Sequence, residues 1–195
     1  MLRIAVVAAL LSGGCVIPFA IPPTRMEGGV STLAGGTDGS NRAYHVGGGM
    51  HLASGNQRKD LPLDLGLGGF WDFLDHGPNA GGGYVDAALF TDKNKTSSTR
   101  TALGMRGELR YQAGQYGAGA KLRVDHELFA AVDDSFSEDD RCGVAVGSHH
   151  GNAGVGVYVE AGRVWQADGT AWLATAGVTL RMPGVMGVWI GIPGC

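Results

Sequence analysis

The stretch Leu61-Pro62-Leu63-Asp64-Leu65-Gly66-Leu67-Gly68-Gly69-Phe70-Trp71-Asp72-Phe73 decides how this chain folds. Its odd positions read Leu61, Leu63, Leu65, Leu67, Gly69, Trp71 and Phe73, and its even positions include Asp64, Gly66, Gly68 and Asp72. Successive side chains of an extended chain point to opposite sides, so this spacing makes a strand with one apolar and one polar face. The period recurs in 101–112, where Leu103, Met105, Leu109 and Tyr111 alternate with Arg106, Glu108, Arg110 and Gln112. It recurs again in 117–129, where Ala118, Ala120, Leu122, Val124 and Leu128 oppose Lys121, Arg123, Asp125 and Glu127. In 42–53, Tyr44, Val46, Met50 and Leu52 oppose His45 and His51.

Weaker alternation marks 27–34, 82–91, 141–148, 153–165, 170–181 and 184–192, which gives ten strands if all form, with eight as the rival count. Between them lie turn-rich segments at 36–41, 54–60, 92–98 and 167–169, and Pro183-Gly184. Short strands at this spacing predict an all-β fold, a single antiparallel meander barrel of 8–10 strands, closed because closure removes exposed edges. The connections at 92–98 and 131–140 are the longer ones and fall at the same end of such a barrel as the N-terminus.

Composition agrees with one domain of 195 residues. Charged residues are 17% of the chain, against about 25% in soluble domains. The 35 glycines follow no G-X-Y period, which excludes collagen and suits strands that bend or approach other backbone closely. A net charge of −3 without a basic stripe excludes nucleic acid as a partner.

The chain opens with Arg3, the apolar run Ile4 to Leu11, the small residues Ser12, Gly13 and Gly14, and then Cys15. Eight apolar residues are too few for a spanning helix, which needs about 20, so residues 1–14 read as a secretory signal peptide. A cysteine directly after the small residues resembles a bacterial lipoprotein signal. That resemblance implies lipidation of Cys15, with residues 15–25 (Pro18, Pro22, Pro23) as a lipidated tether and 26–195 as the barrel domain.

Alternation alone leaves two readings. With the apolar face inside, the protein is a soluble lipocalin-like lipoprotein that binds an apolar ligand. With it outside, lipid covers the wall, and the lumen holds Asp64, Asp72, Arg106, Glu108, Arg110, Lys121, Arg123, Asp125, Glu127, Glu160 and Arg181 as paired charges. The low charge total and the glycines interleaved with those charges favour the second. So do Tyr44, Trp71, Phe73, Phe90, Tyr111, Phe129, Trp165 and Trp172 near strand ends, where interfacial girdles lie. Over 26–192 the chain resembles small outer-membrane β-barrel proteins of Gram-negative bacteria. The resemblance implies an exported protein in the outer membrane or at the cell surface, with the lipid bilayer as partner and a structural or surface-interaction role. A charge-filled lumen implies that it is not an open pore.

No motif points to catalysis, and no cofactor or metal is expected. Adjacent His149 and His150, in a loop, point to opposite sides of the chain and make a poor chelate. His45 and His51 read as lumen hydrogen-bonders. The acidic run Asp133, Asp134, Glu138, Asp139 and Asp140 lacks an EF-hand's ligand spacing and reads as a solvated loop. Gly154 to Gly162 reads as a strand, His126 falls on an apolar face, and no serine sits in a nucleophile elbow. A barrel-embedded lipid-modifying enzyme remains the third reading. Cys142 and Cys195 fall at the same end, and a disulfide between them closes a loop worth about 3–4 kcal/mol.

Overall fold

A computed structural model of the protein describes residues 16–35, 41–53, 63–91, 99–140, 142–166 and 169–191. The signal segment, Cys15, Cys195 and most of the turn-rich segments lie outside these residues. Within them the chain is all β, with ten strands in one antiparallel sheet. The strands are β1 (Val16–Ile21), β2 (Thr24–Ala34), β3 (Asn41–Ala53), β4 (Leu63–Leu74), β5 (Ala80–Phe90), β6 (Thr99–Gln112), β7 (Gln115–Asp140), β8 (Gly143–Gln166), β9 (Gly169–Met182) and β10 (Gly184–Gly191).

Strands β2 to β9 pair in sequence order, and β2 pairs with β9 from Thr24↔Met182 to Ala34↔Trp172, so these eight strands form a ring. The hairpin between β6 and β7 is closed by Ala113 (φ 51°) and Gly114 (φ 83°). Two successive positive φ values give the tight turn whose twist matches the flanking strands.

The ring is uneven. At the end that carries Val16 and Gly191, β7 and β8 run on past the other ring strands, and their outer portions pair from Asp133↔His150 to Asp140↔Gly143. β10 pairs with that part of β8, and β1 pairs with β10, so four strands form an extension in the order β7–β8–β10–β1. Pro22 and Pro23 separate β1 from β2, and Pro183 separates β9 from β10. In β8 the same level is marked by Gly151, whose φ of 111° few other residues adopt. There β8 has 151–153 between the pairs His150↔Gly184 and Gly154↔Arg181, whereas the facing chain has only 182 and 183. That extra residue is a β-bulge, and with the prolines it draws a fold line across four strands.

Two expectations change at this extension. Residues 131–140, expected as a loop, continue β7, and 141–148 and 153–165 belong to one strand, β8, which also contains His149 and His150. Residues 16–21, expected in a free tether, are hydrogen-bonded as β1, and Arg25 belongs to β2. Ten and eight both describe this chain, as strands in the sheet and strands in the ring.

Candidate functional site: a charged lumen inside an apolar wall

Alternation fixes which side chains share a face, and the ring fixes which face is inside. Along β7, Lys121 and Arg123 are 2% and 3% exposed, while Leu122 and Val124 between them are 66% and 40% exposed. On β6, Arg106 is 1% exposed and Met105 65%. The charged face therefore lines the interior and the apolar face covers the outside.

The interior charges meet in pairs. Toward the fold line, Arg181 donates to Asp64 at 2.7 Å and to Glu127 at 3.1 Å, Arg100 reaches Glu127 at 2.9 Å, and His51 lies 2.8 Å from Asp64. At mid-height Glu27 is the hub, accepting from Arg106 at 2.5 and 3.0 Å and from Arg123 at 2.6 Å. Arg123 also holds Asp125 at 2.7 Å, and Arg25 and Arg106 both bond to Asp86. Below this, Arg110 bridges Asp72 (2.6 Å) and Glu108 (2.8 Å), and Lys121 bridges Glu108 (2.5 Å) and Glu160 (2.8 Å). His45 joins the lower two levels, with Nδ1 2.6 Å from Asp72 and Nε2 3.2 Å from Glu27. Each proposed lumen charge from Asp64 to Arg181 is thus placed inside with an ionic partner. Glu27, Asp86, Arg25 and Arg100 join them and were not singled out by the sequence. Glu27 and Arg25 do alternate with Met26, but Gly28-Gly29 interrupts the pattern immediately afterwards.

Glycine makes room for this filling. The Tyr84 ring lies against Gly68 and Gly49, and a methyl group on Gly68 would come within 2.7 Å of it. The Tyr158 ring lies against Gly177 in the same way. Each ring in turn carries a guanidinium on its face, Arg106 at 4.0 Å from Tyr84 and Arg123 at 3.9 Å from Tyr158. At the end opposite the extension, Leu33, Val164 and Leu173 form a small apolar cluster that finishes the interior.

Outside, the aromatic residues form one belt at the end opposite the extension: Tyr44, Trp71, Phe73, Tyr111, Tyr116, Trp165 and Trp172, all exposed. Arg163 is exposed among them, 5.3 Å from the Trp172 ring. Phe90 and Phe129, expected in a girdle, instead take the inner side and pack on Arg100 at 4.2 and 4.6 Å. Between the belt and the fold line the wall is formed largely by Val, Leu and Met. His126 lies on it, and its ring is 3.0 Å from Thr101 Oγ1.

His149 pairs with Asp134 at 2.9 Å on the extension, and His150 meets Ser148 at 2.6 Å. Among the described residues no group of three or more His, Cys, Asp or Glu is arranged to hold a metal ion. The chain matches no protein-family model and no curated protein in sequence.

Proposed function

We propose that this protein is an outer-membrane-type β-barrel lipoprotein, anchored by acylation at Cys15, with a structural or surface-interaction role and no conducting pore. The observation that carries the reading is the inside-out distribution of polarity, with Arg106, Glu108, Lys121 and Arg123 buried and Met105, Leu109 and Leu122 exposed. In water such a wall would be a continuous apolar patch far beyond what soluble monomers expose. In a bilayer it is the expected surface, and a closed ring leaves no unpaired strand edge in the hydrocarbon.

Dimensions support the same reading. From Tyr116 in the belt to Leu128 the chain rises about 40 Å along the strand at 3.3 Å per residue, or about 30 Å along the barrel axis at the usual tilt of about 40°. That matches the hydrocarbon thickness of about 30 Å. Eight strands enclose an interior that side chains fill, and water barely reaches the lumen charges, which argues against conduction. A barrel for apolar ligands needs an apolar interior, and this one is ionic. β10 ends at Gly191 opposite Gly143, the residue after Cys142, and Cys195 follows four positions later in sequence, which supports a disulfide between Cys142 and Cys195.

Alkaline carbonate extraction of envelope membranes tests the reading. The protein is expected to stay in the membrane pellet and to show heat-modifiable gel mobility. Release of a Cys15→Ala variant into solution as a folded monomer would overturn it.

A further inference from the structure

The extension is the part of the molecule that a spanning barrel does not require. Its strands are graded in polarity. The β7 edge carries exposed Asp134, Ser135, Ser137, Glu138 and Asp139, β8 is mixed, and β10 and β1 read Gly-Val-Met-Gly-Val-Trp-Ile-Gly and Val-Ile-Pro-Phe-Ala-Ile with no charged side chain. One face of this sheet continues the outer wall. β7 and β8 pair without a register break from Ala118↔Trp165 to Asp140↔Gly143, so Phe136 shares the outward side with Leu122, Val124 and Leu128. In the next rows Phe136 packs on Gly147, Phe19 on Gly187 and Trp189 on Gly143, which places these three aromatics on that same outward face.

Two further observations say where this face points. The first is a groove of about 610 Å³ in the outer wall beside the fold line, lined by Met26, Leu128, Val155, Val157, Val178 and Leu180 from four adjacent strands. Gly28, which adds no side chain to the outer face, opens part of this groove, and an outward bend of the sheet at the fold line would deepen it. The second is the aromatic count. Membrane barrels carry a girdle at both interfaces, and this wall has exposed aromatics at one end only among the described residues. Phe19, Phe136 and Trp189 supply the other end, but on the extension.

Resting on the membrane-spanning reading, we propose that the extension bends out over the leaflet and lays Ile17, Phe19 and Trp189 on the lipid surface, with Phe136, which shares its face with Asp134 and Glu138, at the margin that meets water. It thus forms an interfacial platform beside the acyl chains of Cys15. Cys15 directly precedes β1, so lipid attached there emerges at the apolar edge, while the acidic β7 edge stays in water. Pro18 has no N–H to offer a second chain, and this blunts the free β1 edge against strand addition from another copy.

The test uses the full chain in vesicles of phosphatidylcholine brominated on its acyl chains, with tryptophan emission as the readout. In a variant keeping only Trp189 (W71F/W165F/W172F), bromolipid should cut emission about two-fold or more, as for a ring held 5–10 Å into the headgroup boundary, and aqueous iodide should have little effect. Should that variant fold poorly, the difference between wild type and Trp189→Phe gives the same quantity. Quenching by iodide alone means the extension stands in water, and protection from both quenchers means a second copy or another protein covers it; either overturns the platform. A variant keeping only Trp71, on the barrel wall, is the control. If Trp71 also escapes bromolipid, the spanning reading has failed; if Trp71 is quenched and Trp189 is not, only the platform has.

Discussion

Replacing Glu27 by Gln removes one charge from the centre of the lumen with little change of shape, and the structure sets the cost. Glu27 accepts three hydrogen bonds at 2.5–3.0 Å from Arg106 and Arg123. Breaking a buried ion pair on one side costs about 3–5 kcal/mol. Here the stranded cations keep other partners, Arg106 having Asp86 at 3.0 Å and Arg123 having Asp125 at 2.7 Å. The cost should therefore fall at the lower end, about 3 kcal/mol or roughly 150-fold in the unfolding equilibrium at 1.36 kcal/mol per decade. Charge balance sharpens the expectation. The lumen carboxylates are Glu27, Asp64, Asp72, Asp86, Glu108, Asp125, Glu127 and Glu160, against Arg25, Arg100, Arg106, Arg110, Lys121, Arg123 and Arg181. His45 faces a carboxylate with each ring nitrogen, so a doubly protonated ring would donate to both and supply the remaining positive charge. Hence His45→Gln should cost less in the Glu27→Gln background than alone, by about 1 kcal/mol or more. Urea unfolding in phosphatidylcholine vesicles, followed by tryptophan emission, measures all three variants. A Glu27→Gln cost below about 1 kcal/mol, the value of a solvated ion pair, would refute the sealed lumen.

Three other outcomes follow from the same geometry. Leu122→Arg places a cation on the exposed wall and should cost about 2–4 kcal/mol for folding into vesicles if that wall meets hydrocarbon, against about 0.5 kcal/mol or less if it meets water. Gly68→Ala would push a methyl group within 2.6 Å of the Gly49 Cα and 2.7 Å of the Tyr84 ring, so a loss of about 1–3 kcal/mol is expected by the same unfolding assay. Cys142→Ser should abolish the mobility difference between reduced and non-reduced gels and cost about 3–4 kcal/mol; identical mobility of the wild type under both conditions would count against the Cys142–Cys195 bond.

The ring strands could be read from sequence because each has one buried face, and burial on one side writes a period of two. Leu63 to Phe73 and Leu103 to Gln112 need no partner to be recognised. The extension could not be read this way. Val16 to Ile21 is apolar throughout and interrupted by Pro18, so nothing in it distinguishes an edge strand from a tether; what makes it a strand is β10 beside it. Asp133 to Asp140 carries acids at both parities, so it shows no apolar face to mark a strand, yet its backbone continues the pairing with β8 beyond the fold line. Phe90 and Phe129 illustrate a different limit. Position near a strand end predicts a girdle, but parity puts both rings inside, on Arg100.

The two faces together specify a register that neither specifies alone. A one-residue slip of any ring strand would turn its charges outward and its leucines into the lumen, so both faces oppose it at once. The ion pairs add a long-range condition, because they join parts of the chain far apart in sequence: Arg123 with Glu27, separated by 96 positions, and Arg181 with Asp64, separated by 117. Arg181 lies on β9 and Glu27 on β2, the pair of strands that closes the ring. Until β2 meets β9, Glu27 and Arg181 cannot both occupy the lumen beside their partners, and carboxylates such as Asp64 lack part of their compensation. Closure and charge satisfaction are therefore coupled, and a partly closed sheet would leave lumen charge uncompensated.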